Sequence, residues 1–148
     1  MACTICVSRA GPDDIGAHPL IFDRVYYLND PRSAIRFRLA TIDASDIRLC
    51  SVVKAELYYG AYRSAKVQAN LDLLHRFFGL FVSLPFDDAA ADTSAQIRSS
   101  LAAEGAPIGP YDLKIAAIAV VHGLTLVTHN RREFDRVPDL IVEDWQAS

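Results

Sequence analysis

The segment Leu113–Val121 constrains the fold of this chain more than any other. It reads Leu-Lys-Ile-Ala-Ala-Ile-Ala-Val-Val, and a helix apolar on nearly every side has to be buried between other elements. Gly109-Pro110 makes a turn into it, so a helix is predicted over Tyr111–His122, ended by Gly123. Leu124-Thr-Leu-Val-Thr128 follows at once. This run is short, apolar and β-branched between turn signals, and it reads as a strand.

The rest of the chain alternates in the same way. Ile47–Cys50 reads as a strand, and Ser51 is placed to cap a helix that carries Val52, Val53, Leu57, Tyr58 and Ala61, with Glu56 inside it. A helix is predicted from about Ala65 to Leu80, a short strand over Leu80–Leu84, and a helix over Asp87–Ala103 stopped by Gly105. Arg131–Phe134 reads as a helical turn and Leu140–Val142 as a last strand. Toward the N-terminus, Pro19–Asp23 is a candidate strand. Asp30 caps, and Pro31 opens, a helix running to about Thr41. Residues 1–18, punctuated by Gly11, Pro12 and Gly16, have little periodicity and read as a divergent, poorly ordered extension. Residues 19–148 then form one α/β domain, a sandwich with a central, mainly parallel sheet flanked by helices.

Composition narrows the function. Of 148 residues, 51% are hydrophobic and 22% charged, which argues against disorder over most of the length. No apolar run approaches the roughly 18 residues a bilayer span needs, and Met1–Gly16 lacks the pattern of a secretory signal; a cytoplasmic location follows. The net charge of −3 does not favour a broad phosphate-binding surface. It leaves room for a nuclease, because acids that hold a metal are counted in that total and the metal reverses the local sign. Cys3-Thr-Ile-Cys6 is a CxxC with no strand predicted before it and no second half-site, so it reads as two free thiols in a loose tail. With Cys50 the total is odd, which fits a reducing compartment.

In a sheet of this kind ligands sit beyond the carboxyl ends of the strands. Glu56 lies early in the helix after Ile47–Cys50, Asp112 in the first turn of the buried helix, and Thr128 and Asn130 after the strand Leu124–Val127. Each acid alone has a plain structural use: Asp112 as a helix N-terminal acid favoured by up to about 1 kcal/mol, Glu56 as a solvated helix residue. Both, however, sit on apolar helices beside strand ends. Carboxylates clustered there repel by roughly 4 kcal/mol per pair at about 4 Å, a cost that a cation removes. An all-oxygen site suits magnesium or manganese (Mg2+ or Mn2+). Zinc is disfavoured, since His18, His75, His122 and His129 show no ligand spacing. A nucleotide-binding domain is disfavoured too, because neither GxGxxG nor GxxxxGK[ST] occurs.

Four stretches carry a family resemblance: Ser51-Val-Val-Lys-Ala-Glu-Leu-Tyr-Tyr-Gly60, Pro107-Ile-Gly-Pro-Tyr-Asp-Leu-Lys-Ile-Ala-Ala117, Leu126-Val-Thr-His-Asn-Arg-Arg-Glu-Phe134 and Arg136-Val-Pro-Asp-Leu-Ile-Val-Glu-Asp-Trp145. In order and spacing, from about Leu28 to Trp145, the chain resembles the PIN-domain ribonucleases, specifically VapC-type toxins of toxin–antitoxin pairs. The resemblance implies an α/β PIN fold, Mg2+- or Mn2+-dependent cleavage of RNA, a homodimer, and neutralisation by a cognate VapB-type antitoxin. It places Glu56 and Asp112 on the family's second and third acids and Asn130 on its fourth position, with Thr128 and Glu133 as supporting residues. Tyr111 stands where many relatives carry Asn. Arg131, Arg132 and Arg136 are candidates for phosphate contact.

One part of the pattern is missing. These toxins begin with a hydrophobic strand ending in Asp-Thr-Asn, whose Asp is the first metal ligand, and no Asp-Thr-Asn occurs here. Asp23 closes an apolar run and is the only substitute, although it sits about three residues too close to Leu28. Either a short deletion lets Asp23 act from a shifted strand, or residues 1–26 are not the family's N-terminus, through a frameshift, a misassigned start or divergence. Two functions therefore stand: an active endoribonuclease toxin, or a catalytically impaired PIN domain that still dimerises and binds an antitoxin.

Overall fold

The computed structural model describes residues 4–7 and 34–145. The expected strand at Pro19–Asp23, and the Asp30-Pro31 helix start, lie outside the described residues. In chain order the elements are β1 (Thr4–Val7), α1 (Ala34–Ala40), a 3-10 turn (Ala44–Asp46), β2 (Ile47–Cys50), α2 (Ser51–Tyr62), α3 (Val67–Phe78) and β3 (Val82–Leu84). There follow α4 (Asp88–Ala103), α5 (Pro110–Val121), β4 (Thr125–Thr128), α6 (Arg131–Phe134) and β5 (Ile141–Glu143). The strands form one sheet in the order β3-β2-β1-β4-β5.

Each half of the sheet is parallel, as expected: β2 pairs with β3, and β4 with β5. The middle is not. β1 runs antiparallel to both β2 and β4, with Thr4 opposite Thr128 and Val7 opposite Thr125. Because β1 opposes both neighbours, β2 and β4 run the same way, so four of the five strands share one direction and the sheet is mainly parallel, as expected. One expectation is corrected: Thr4–Val7, assigned to a poorly ordered extension, is a strand. The tetrapeptide Thr-Ile-Cys-Val is β-branched and apolar, and two half-sheets with open inner edges supply the hydrogen-bonding partners that a four-residue run cannot find alone.

Alternation along the strands divides the core into two layers. Ile47 and Leu49 of β2 and Val127 of β4 pack with Leu71, Leu74, Phe78 and Trp145. Their neighbours Cys50 and Leu126 join the other cluster, with Val53, Leu101, Phe134 and the body of α5. Adjacent strand residues point to opposite faces, so the sheet has helices on both sides.

The helix α5 occupies the place its composition demands. Ala116, Ala117, Ile118 and Ala119 are wholly buried, and α5 packs against α4 and α2. Pro110 takes its first position, where the missing N–H costs nothing. Gly123, at φ 61°, provides the left-handed residue that lets Leu124 N donate back to Ala119 O at 2.9 Å. That reversal sends β4 back along α5, bringing the end of β4 near the start of the helix. At α2 the cap is Cys50 and not Ser51: the last residue of β2 already has extended backbone, and its Sγ accepts from Val53 N at 3.5 Å. Asp87 caps α4 through Oδ1, which accepts from Ala90 N at 2.9 Å.

Candidate active site

The reversal at Gly123 gathers residues from two elements. Asp112 is the third residue of α5 and is half-buried. Thr128 ends β4 and is buried, and its Oγ1 accepts from Asn130 N at 3.0 Å. This short turn directs Asn130 back over the helix start, where Asn130 Nδ2 donates to Asp112 Oδ2 at 3.4 Å. Glu133 follows in the first turn of α6. The turn is held down by Phe134, which has no exposed surface.

Asp112 is held above the usual carboxylate range, first by burial and then by the negative charge of Glu133. Its position in the first turn of α5 favours the ionised form, yet desolvation and the second acid outweigh that dipole. A partly buried acid that feels the charge of a second is a place where a cation binds with gain. The surrounding donors, Asp112, Glu133, Asn130 and Thr128, are oxygens and an amide. This is the chemistry of a hard divalent ion.

The structure brings together Asp112 and Asn130, with Thr128 as their support, and sets Glu133 within electrostatic reach of Asp112. Glu56 lies half-buried on α2, which packs against α5, and its side chain makes no hydrogen bond or ion pair with another described residue. Among the described residues no group of three His, Cys, Asp or Glu is close enough to hold a metal ion. Asp23 lies outside the described residues. Of the three arginines named for phosphate contact, Arg131 is tied to Asp135 by two hydrogen bonds at 3.1 Å, and Arg136 donates to Pro107 O. Arg132 is exposed and has no ion-pair partner among the described residues.

One pair beside the site was not foreseen. His129 Nδ1 lies 3.0 Å from Asp144 Oδ2. The β4–β5 register sets Val127 opposite Glu143 and so carries these two residues past the strand ends side by side. Sequence distance hides the pairing, and only the parallel register reveals it.

Comparison with known proteins agrees with this architecture. The family model for the PIN domain matches residues 24–140. The chain is 42% identical over 110 residues to the tRNA(fMet)-specific endonuclease VapC of Salmonella typhimurium, covering 74% of this chain and 81% of that protein. It is 37% identical over 121 residues to the tRNA(fMet)-specific endonuclease VapC of Shigella flexneri, covering 82% and 91%. Among solved structures it resembles the DNA-bound VapBC of Salmonella typhimurium, with a TM-score of 0.75 at 37% identity over 82% of this chain and 91% of that one. VapBC2 of Rickettsia felis, bound to a DNA fragment from its promoter, gives 0.74 at 34% identity over 82% and 92%. The chain belongs to the PIN-domain family. Within that family it is of the VapC type.

Proposed function

We propose that this chain is the toxin of a type II toxin–antitoxin pair, an endoribonuclease that cuts RNA phosphodiester bonds with a divalent cation. The contact of Asn130 with Asp112 at the end of β4, within the field of Glu133 and in a chain whose relatives are named ribonucleases, carries the reading. Asp112 and Glu56 hold the ion, Asp23 is the further carboxylate, and Asn130 adds a neutral donor. Thr128 and Glu133 position and tune these groups. Magnesium keeps several waters and needs only one or two carboxylates from a protein, so a sparse donor set suffices; manganese has the same preferences. The bound ion supplies a Lewis acid that activates water and stabilises the leaving oxygen.

Two relatives are named for tRNA(fMet), and that RNA is the substrate proposed here. The partners are a VapB-type antitoxin, as in the VapBC complexes, and a second copy of the chain. No described helix is long and apolar enough to cross a membrane, and the RNA substrate places the action in the cytoplasm. The PIN domain is assigned to residues 19–148, with Thr4–Val7 added to its sheet.

One observation favours a second reading, an impaired PIN domain that binds antitoxin and dimerises without cutting RNA. The middle strand, Thr4-Ile-Cys-Val7, contains no carboxylate, and Asp23 lies just before the residues that match the family model. Cleavage of tRNA by the wild type and by Asp23→Asn, with and without Mg2+, separates the two. An active wild type and an inactive variant support the toxin with Asp23 as ligand. An inactive wild type that retains antitoxin binding supports the impaired module.

A further inference from the structure

Tyr111 immediately precedes Asp112 in the first turn of α5, yet it is 54% exposed where its neighbour is half-buried. Three positions on, Lys114 lies on the same side of the helix. Its Nζ stands 5.9 Å from the Tyr111 ring centroid and 5.6 Å from that of Phe86. An ammonium between two ring faces is held by cation–π attraction. Among the described residues Lys114 has no carboxylate partner. Phe86 packs on the core and so fixes one wall of this cradle, while the Tyr111 ring keeps more than half its surface open to solvent.

An exposed tyrosine in a helical first turn is ordinarily a surface residue. Here two independent features set it apart: it adjoins Asp112, the acid proposed above to hold the metal, and a cation without an acidic partner among the described residues is parked against its ring. Exposed aromatic rings interleaved with cations are how proteins take up unpaired nucleotides, the ring stacking on a base and the cation meeting the backbone. Tyr111, Asp112 and Lys114 set an exposed ring, the acid proposed to hold the metal and an ammonium within one helical turn.

We propose that Tyr111 and Lys114 form a nucleotide subsite beside Asp112, in which an unstacked RNA base lies on the Tyr111 ring and Lys114 contacts an adjoining phosphate. The subsite rests on the ribonuclease reading above. It selects single-stranded or splayed nucleotides over duplex, because the ring must reach a base face.

The test uses the full chain carrying Asp112→Asn, in EDTA, with a fluorescently labelled single-stranded RNA titrated at several KCl concentrations. Adding Tyr111→Ala weakens binding roughly tenfold, while Tyr111→Phe leaves it unchanged because the ring is kept. Lys114→Gln flattens the slope of log K against log[KCl] by about 0.7, the value for one phosphate contact on a single strand. Tyr62→Ala, which removes an exposed tyrosine at the far end of α2, has no effect. With Asp112 intact and Mg2+ present, Tyr111→Ala raises KM more than it lowers kcat. Undiminished binding by Tyr111→Ala, or equal loss in Tyr111→Phe, overturns the subsite and leaves the ribonuclease reading standing. Failure of the parent chain to bind RNA at all overturns both.

Discussion

Asn130 Nδ2 donates to Asp112 Oδ2 at 3.4 Å, across 18 positions of sequence. The contact ties the end of β4 to the start of α5 and depends on two local devices: the Thr128 hydroxyl that accepts from Asn130 N, and the left-handed Gly123 that turns α5 into β4. Neither device is itself chemical. Together they bring an amide onto Asp112, with the charge of Glu133 within reach of the same carboxyl.

Asp112→Asn stabilises the metal-free protein at neutral pH. The Asp112 carboxyl titrates above its ordinary value of 3.8 because burial and Glu133 disfavour its charge, so ionising it costs stability at every pH above the folded pKa. That cost disappears as pH falls through the raised value toward 3.8. Thermal melts in EDTA therefore show the variant melting higher at pH 7, with the gap closing toward pH 4. A variant that melts lower at pH 7 contradicts the electrostatics described here.

Magnesium reverses that order. An ion that binds only the folded state raises Tm with its concentration. Millimolar Mg2+ raises Tm in the wild type and much less in Asp112→Asn. Equal shifts in both proteins place the metal elsewhere.

Phe134→Ala costs about 3–5 kcal/mol, the usual range for a fully buried phenylalanine, since Phe134 has no exposed surface. Urea unfolding measures it. The turn bearing Glu133 and Asn130 is anchored by this side chain, so activity falls at urea concentrations where the wild type remains folded.

Cys50 resists alkylation. Burial pushes its thiol up to about 11, and the thiolate is the reactive form. Iodoacetamide at pH 8 followed by peptide mass spectrometry finds Cys50 unlabelled in the folded chain and labelled in guanidinium. Rapid labelling in the folded chain contradicts the burial.

The elements legible in the sequence are those whose own residues determine them. The apolar run at Leu113–Val121 sets α5, and Gly123 and Gly105 mark the helix ends observed beside them. Asp87, read as the first residue of α4, is its cap. The β1 strand was not legible, because four residues of Thr-Ile-Cys-Val gain their role only from the open edges of β2 and β4. Its antiparallel direction follows from tertiary pairing, which no local pattern records. The acids Glu56 and Asp112 were singled out by type and position, and Asp112 does meet Asn130. Glu133, given only a supporting role from sequence, proves to be the acid whose charge acts on Asp112. His129 and Asp144 were missed because β-sheet register, and not spacing, sets them side by side.

A metal-dependent ribonuclease site built around Asp112 is the core of the proposed function. Cleavage of tRNA by the wild-type chain and by Asp112→Asn, each with Mg2+ and with EDTA, tests it most directly. The wild type cleaves in Mg2+ alone, and Asp112→Asn cleaves at a rate at least about 100-fold lower, the loss expected when a group stabilising the transition-state charge is removed. Equal cleavage by the two proteins, or cleavage undiminished by EDTA, contradicts it.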